Sequence, residues 1–145
     1  MNYSALLLRL AFPVVALSTA CDGETLDATQ STVSGVQSFC VEAVDGADGA
    51  ELEVNVQLDA CLSSSCDTLI ESKCTLTEVD GALQIEASAI LQHEGDTCTA
   101  DCRSINATCT IPAPLEETYI VRGDDGDEVT VDTADHDTAC SVEPT

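Results

Sequence analysis

Nine cysteines, set in a chain with almost no aromatic side chains, decide most of what this sequence can become. Beyond residue 20 the aromatic residues are Phe39 and Tyr119, and Trp is absent. Aromatic rings supply much of the buried area in ordinary cores. A core made from Val, Leu, Ile and Ala alone will be thin. Covalent cross-links are the usual remedy in small exported domains.

Charge removes several classes of partner. The chain carries 27 acidic residues against 4 basic ones, a net charge of -23. Phosphate backbones are gripped by clustered Lys and Arg. Here Lys73, Arg103 and Arg122 are scattered through the acidic sequence. Nucleic acid is excluded as a partner, and anionic head groups are disfavoured for the same reason. Such a charge keeps a protein soluble and weakly associating, so a monomer is expected.

Residues 1–20 read as an export signal. Arg9 is their one charged residue, Leu10 to Leu17 is an apolar run broken only by Pro13, and Ser18, Thr19 and Ala20 are small. That run is too short to span a bilayer, which takes about 20 apolar residues. It fits the hydrophobic region and small-residue cleavage site of a signal peptide. Past residue 21 acids begin at once, with Asp22, Glu24 and Asp27. The stretch "LSTAC", Leu17 to Cys21, resembles the cleavage site of bacterial lipoprotein precursors. Leu17 stands one position further from the cysteine than in the family's pattern. The resemblance implies cleavage after Ala20 and acylation of Cys21. It places the chain on the cell envelope outside the cytoplasm, at the outer membrane rather than the inner, with the lipid bilayer as partner. Plain secretion without lipid is the alternative. Parity agrees with lipidation, because removing Cys21 leaves an even set of eight cysteines.

Residues 21–37 are rich in Ser, Thr, Gly and acids and are expected to form the lipidated N-terminus and a flexible tether. The folded domain is expected over 38–140, with 141–145 as a tail. Within it, "ELEVNVQLDAC" alternates Leu52, Val54, Val56 and Leu58 with Glu53, Asn55, Gln57 and Asp59, the mark of a half-buried strand. "CTLTEVDGALQIEASAIL" reads as a hairpin. Asp80-Gly81 is its two-residue turn, Cys74 and Leu76 alternate in one arm, and Leu83, Ile85, Ala87, Ala89 and Leu91 in the other. "TYIVRGDDGDEVTVD" reads as a second hairpin, with Tyr119, Val121, Val129 and Val131 facing one way. Phe39 to Val44 and Ala107 to Ile111 are shorter strand candidates. Thr68 to Glu71 fits either a strand or a helical turn.

About seven short strands without a helical period predict an all-β, disulfide-stapled antiparallel β-sandwich. The stretch "PLEETYIV", Pro114 to Val121, resembles the Leu-x-x-x-Tyr strand entry of immunoglobulin-like and fibronectin-like bacterial domains. That likeness implies a structural post at Tyr119. The whole arrangement is also similar to small Cys-rich acidic lipoproteins of myxobacteria and their relatives, a likeness that implies no activity.

Cys40, Cys61, Cys66, Cys74, Cys98, Cys102, Cys109 and Cys140 are expected to form disulfides. The paired Cys-x2-Cys spacing of zinc sites is absent, and exported thiols meet an oxidising compartment. Cys74–Cys109 is expected to join two sheets and Cys40–Cys140 to clamp the ends. Cys61, Cys66, Cys98 and Cys102 are then left to pair among themselves.

No metal, cofactor or catalytic residue is expected. Calcium, or a cationic ligand, is the alternative function, because "DGADGAE" (Asp45 to Glu51) and "DDGDE" (Asp124 to Glu128) place carboxylates on turns. Neither has the full calcium-loop pattern. Arg122-Gly123-Asp124 reads as a coincidental match to an adhesion tripeptide, with Arg122 offsetting local acids. Asn106-Ala-Thr is discounted as a glycosylation acceptor, given the bacterial signal. His93 and His136 are isolated and no nucleophile motif accompanies them. The expected function is a non-enzymatic module for envelope structure, adhesion or recognition.

Overall fold

The computed structural model describes residues 28–46, 49–113, 118–134 and 138–141. Its regular structure is all β, in two sheets. The strands are β1 (Thr29–Ser34), β2 (Val36–Gly46), β3 (Gly49–Leu62), β4 (Asp67–Val79), β5 (Ala82–His93), β6 (Arg103–Pro112), β7 (Thr118–Arg122), β8 (Glu128–Asp132) and β9 (Ala139–Cys140).

The alternation in the sequence becomes the inner side of each sheet. Leu52, Val54, Val56 and Leu58 of β3 are at most 2% exposed, and Ile85, Ala87, Ala89 and Leu91 of β5 are buried. Residues of both sheets join in one apolar cluster, with Val41, Ile105, Val121, Val129 and Val131 among its members. Among the described residues Phe39 is its one fully buried aromatic ring, and Tyr119 packs half-buried at its margin. Each Val, Leu or Ile buried in this way contributes about 1.5–3 kcal/mol.

One sheet runs β6-β3-β2-β9. The other is centred on β5, which pairs along its whole length with β4. On the opposite side of β5, β1 covers Ser88 to His93 and β7 meets Leu83 and Gln84. Strand β8 pairs with β7. The β4–β5 turn has positive φ at both Asp80 (52°) and Gly81 (76°), the geometry that a two-residue type I′ hairpin requires. Thr68 to Glu71 belongs to β4 and is strand, not helix.

Three expectations need correction. The tether expected to reach residue 37 is strand from Thr29. Strand β1 has no apolar face to betray it, since five of its six residues are exposed, and backbone pairing with β5 holds it. The chain then passes from one sheet to the other at Gly35. Its φ of 115° lies where a side chain would be strained. Second, the pairing is not wholly antiparallel, because β5 and β7 run parallel at Leu83–Val121 and Gln84–Arg122. The stretch from β5 to β7, which contains β6 of the other sheet, gives the crossover that parallel neighbours need. Third, the folded part does not stop at Cys140. Ser141 is buried, donates its N–H to the Phe39 carbonyl (2.8 Å) and accepts the Phe39 N–H on its hydroxyl (2.9 Å).

Candidate functional site

The eight cysteines after Cys21 join as Cys40–Cys140, Cys61–Cys102, Cys66–Cys98 and Cys74–Cys109. The two pairings named from sequence are present, and the remaining four cysteines pair with one another. Cys74–Cys109 links β4 of one sheet to β6 of the other, with Cα atoms 5.1 Å apart. Cys21 and His136 lie outside the described residues.

Cys61–Cys102 and Cys66–Cys98 gather at one end of the molecule. A bulge between Gln57 and Cys61 shifts β3 against β6 and places Cys61 opposite Ser104, near Cys102. The turn between β3 and β4 then carries Ser63, Ser64, Ser65 and Cys66. Its backbone closes with the Asp67 N–H on the Ser63 carbonyl (2.9 Å), and the Glu94 N–H reaches across to the Cys66 carbonyl (2.8 Å). Polar side chains bind this turn to the 98–102 loop. The Ser63 hydroxyl donates to the Thr99 carbonyl (3.0 Å) and the Thr99 N–H donates to the Ser65 hydroxyl (2.8 Å). The Asp101 carboxylate accepts the Ser64 N–H (3.2 Å) and the Thr99 hydroxyl. These bonds to Ser64 and Thr99 favour the ionised form and hold Asp101 below the ordinary carboxylate value.

Within this end stands an acid–base–sulfur row. The His93 Nδ1–H donates to Asp67 Oδ1 at 2.7 Å, and His93 Nε2 faces Cys98 Sγ at 3.8 Å. The Asp67 carboxylate raises the His93 imidazole above its ordinary value. His93, with the Ser63 N–H, holds Asp67 below its own. The Cys66 and Cys98 sulfurs and a His93 ring nitrogen lie within 4.8 Å of one another, and no other such group of three occurs among the described residues. Both sulfurs are committed to their mutual bond, so the row holds no free nucleophile in this oxidised state.

Sequence alone reads His93 as an isolated surface residue. The Asp80-Gly81 turn was a partial signal to the contrary. It pairs Val79 with Ala82 and runs one for one to Glu71–Ile90. Continued unchanged, that register sets Thr68 opposite His93. A bulge at Ile70 slips the strand by one residue and brings Asp67 there instead.

The other acidic motifs have structural employment. Asp124 accepts the Val36 N–H on both carboxylate oxygens (3.2 Å), which ties the β7–β8 turn to the start of β2. Arg122 pairs with Glu128 across the same hairpin through Nε (2.6 Å) and Nη2. Two side chains of the adhesion-like tripeptide are thus engaged within the domain. A shallow acidic cleft of about 450 Å³ lies beside them, lined by Gly35, Val36, Gln37, Asp59, Asp124 and Asp125. Residues 47–48 of the other acidic turn lie outside the described residues. Tyr119 pairs with Val131 and packs against the core, but the Pro114-to-Glu117 part of its strand entry also lies outside them.

Comparison with known proteins yields no relative: no family model, no curated protein and no solved structure matches the chain.

Proposed function

We propose that the chain is an exported bacterial lipoprotein, cut after Ala20, acylated on Cys21 and displayed at the cell envelope as a non-enzymatic structural or recognition module. The observation that carries this reading is cysteine parity. Every cysteine from Cys40 to Cys140 is used once in a disulfide with another of that set. Cys21 is the ninth. An odd cysteine in an oxidising compartment needs a different fate, and a thioether to a lipid supplies one. Among the described residues no helix is long and apolar enough to cross a membrane. In this reading, attachment rests on the acyl chains, of which two or more hold a protein stably.

The two sheets and their shared core are taken as a disulfide-stapled sandwich of the immunoglobulin-like or fibronectin-like kind. Recognition would fall to its loops, which such scaffolds vary freely. The test is membrane partition of the full-length precursor expressed in a bacterial host. Wild type is expected in the membrane fraction and Cys21→Ser in the soluble fraction. A Cys21→Ser chain that still sediments with membranes, or a wild-type chain that does not, would overturn the anchor.

A further inference from the structure

The Cys66–Cys98 disulfide is set apart by what stands beside it. Cys98 is exposed to solvent while Cys66 is 6% exposed. The His93 ring faces the exposed sulfur, and the Asp67 carboxylate holds the ring from behind. We propose that Cys66–Cys98 is a thiol–disulfide exchange centre in which Cys98 meets the incoming thiol, Cys66 leaves, and His93 steadies the charge. Its substrate class is a free thiol. The proposal stands whether or not Cys21 carries lipid.

The chemistry closes on the residues present. An incoming thiolate attacks Cys98 Sγ, on the solvent-exposed residue of the pair. The Cys66–Cys98 bond breaks, its electron pair passes to Cys66 Sγ, and the proton shed by the incoming thiol reaches that sulfur through solvent, so His93 keeps its own. Cys98 is left joined to the incoming group. A second thiolate attacks the incoming group's sulfur, releases Cys98 as a thiolate and departs as the oxidised disulfide. Two thiols are oxidised and one disulfide is reduced. Negative charge spreads over three sulfurs in the first step and rests on Cys98 after the second. An imidazolium at 3.8 Å stabilises both.

The groups facing His93 favour that imidazolium. Asp67 on β4 and Asp96 beyond the end of β5 both favour the charged ring, and burial opposes them. The exposed Cys61–Cys102 pair serves as an internal control. It shares solvent access, but the one histidine hydrogen bond to a sulfur among the described residues goes to Cys98.

The test uses the oxidised full chain, 2-mercaptoethanol as a neutral thiol, and iodoacetamide trapping with peptide mass spectrometry. Cys66 and Cys98 are expected to open about tenfold ahead of Cys61–Cys102, the scale of an adjacent opposite charge. His93→Gln is expected to erase that lead and Asp67→Asn to shrink it. Once opened, wild-type Cys98 is expected to alkylate readily below pH 7, where an ordinary thiol with a pKa of about 8.5 is protonated. Opening of Cys61–Cys102 first, or a His93→Gln protein that keeps the lead, would overturn the proposal. Should His93→Gln lose the wild-type circular dichroism, the wild-type pH profile decides, and an ordinary thiol profile at Cys98 refutes it.

Discussion

Cys40 and Cys140 face each other directly across β2 and β9, with Cα atoms 4.0 Å apart. The neighbouring pair, Phe39 and Ser141, carries the hydrogen bonds, so the cysteines occupy the close, non-hydrogen-bonded position where a cross-strand disulfide fits. Strand β9 is two residues long, and besides this disulfide it is held by its pairing with β2, the Phe39–Ser141 hydrogen bonds and Ala139 at the margin of the core. The bond spans 100 residues of chain, and closing a loop of that length is worth about 4–5 kcal/mol on the chain-entropy account. Replacing both cysteines by Ser is therefore expected to remove about 4 kcal/mol in urea unfolding. Limited proteolysis should release the C-terminal segment first.

Phe39 is the one fully buried ring among the described residues, and a Cβ placed on Gly123 would stand 3.3 Å from its edge. Phe39→Ala is expected to cost about 3–5 kcal/mol, because the surrounding aliphatics can fill only part of the void. Urea unfolding of the disulfide-intact protein measures it.

At the β4–β5 turn a Cβ on Gly81 would meet nothing within 4 Å, so backbone conformation alone sets the cost of a side chain there. At a φ of 76°, Gly81→Ala is expected to destabilise by about 1–2 kcal/mol. An unchanged urea midpoint would show that the turn tolerates another geometry.

That turn also marks how far the sequence could be read. Leu52 to Leu58 and Leu83 to Leu91 declared their strands because alternation is set by which face is wet. Asp80-Gly81 declared its hairpin because few residues tolerate positive φ. Strand β1 was hidden because five of its six residues are exposed, with Val33 packed at the edge of the core, and it is paired along its length through the backbone. The parallel contact of β5 with β7 was hidden because partners separated by an intervening strand of another sheet leave no local trace. The Asp67–His93 pair was hidden by one residue, the bulge at Ile70.

The titration of that pair gives a third kind of test. The raised imidazole contributes stability that is fully present below the ordinary histidine value of 6.5 and is lost as pH rises through the folded value. The depressed carboxylate contributes stability that is present above its ordinary 3.8 and is lost as pH falls through the folded value. The pair therefore helps most between these limits. NMR titration of the His93 ring is expected to give a midpoint above the ordinary one, and Asp67→Asn to return it toward that value.

Asp124 spans two elements by accepting the Val36 N–H. Asp124→Ala leaves that donor without its charged partner and is expected to cost about 1.5–3 kcal/mol, with Asp124→Asn closer to wild type. Thermal melts of the two variants separate this structural role from a purely solvated carboxylate.

Lipid on one sulfur and disulfides on the other eight is the central claim, and the non-reduced intact mass of the protein extracted from membranes tests it most directly. The expected mass is that of residues 21–145, less two hydrogens for each of the four disulfides, plus glyceride and acyl groups, and unchanged by iodoacetamide. A chain that keeps residues 1–20, that starts at Cys21 without acyl mass, or that gains alkyl groups before reduction would contradict it.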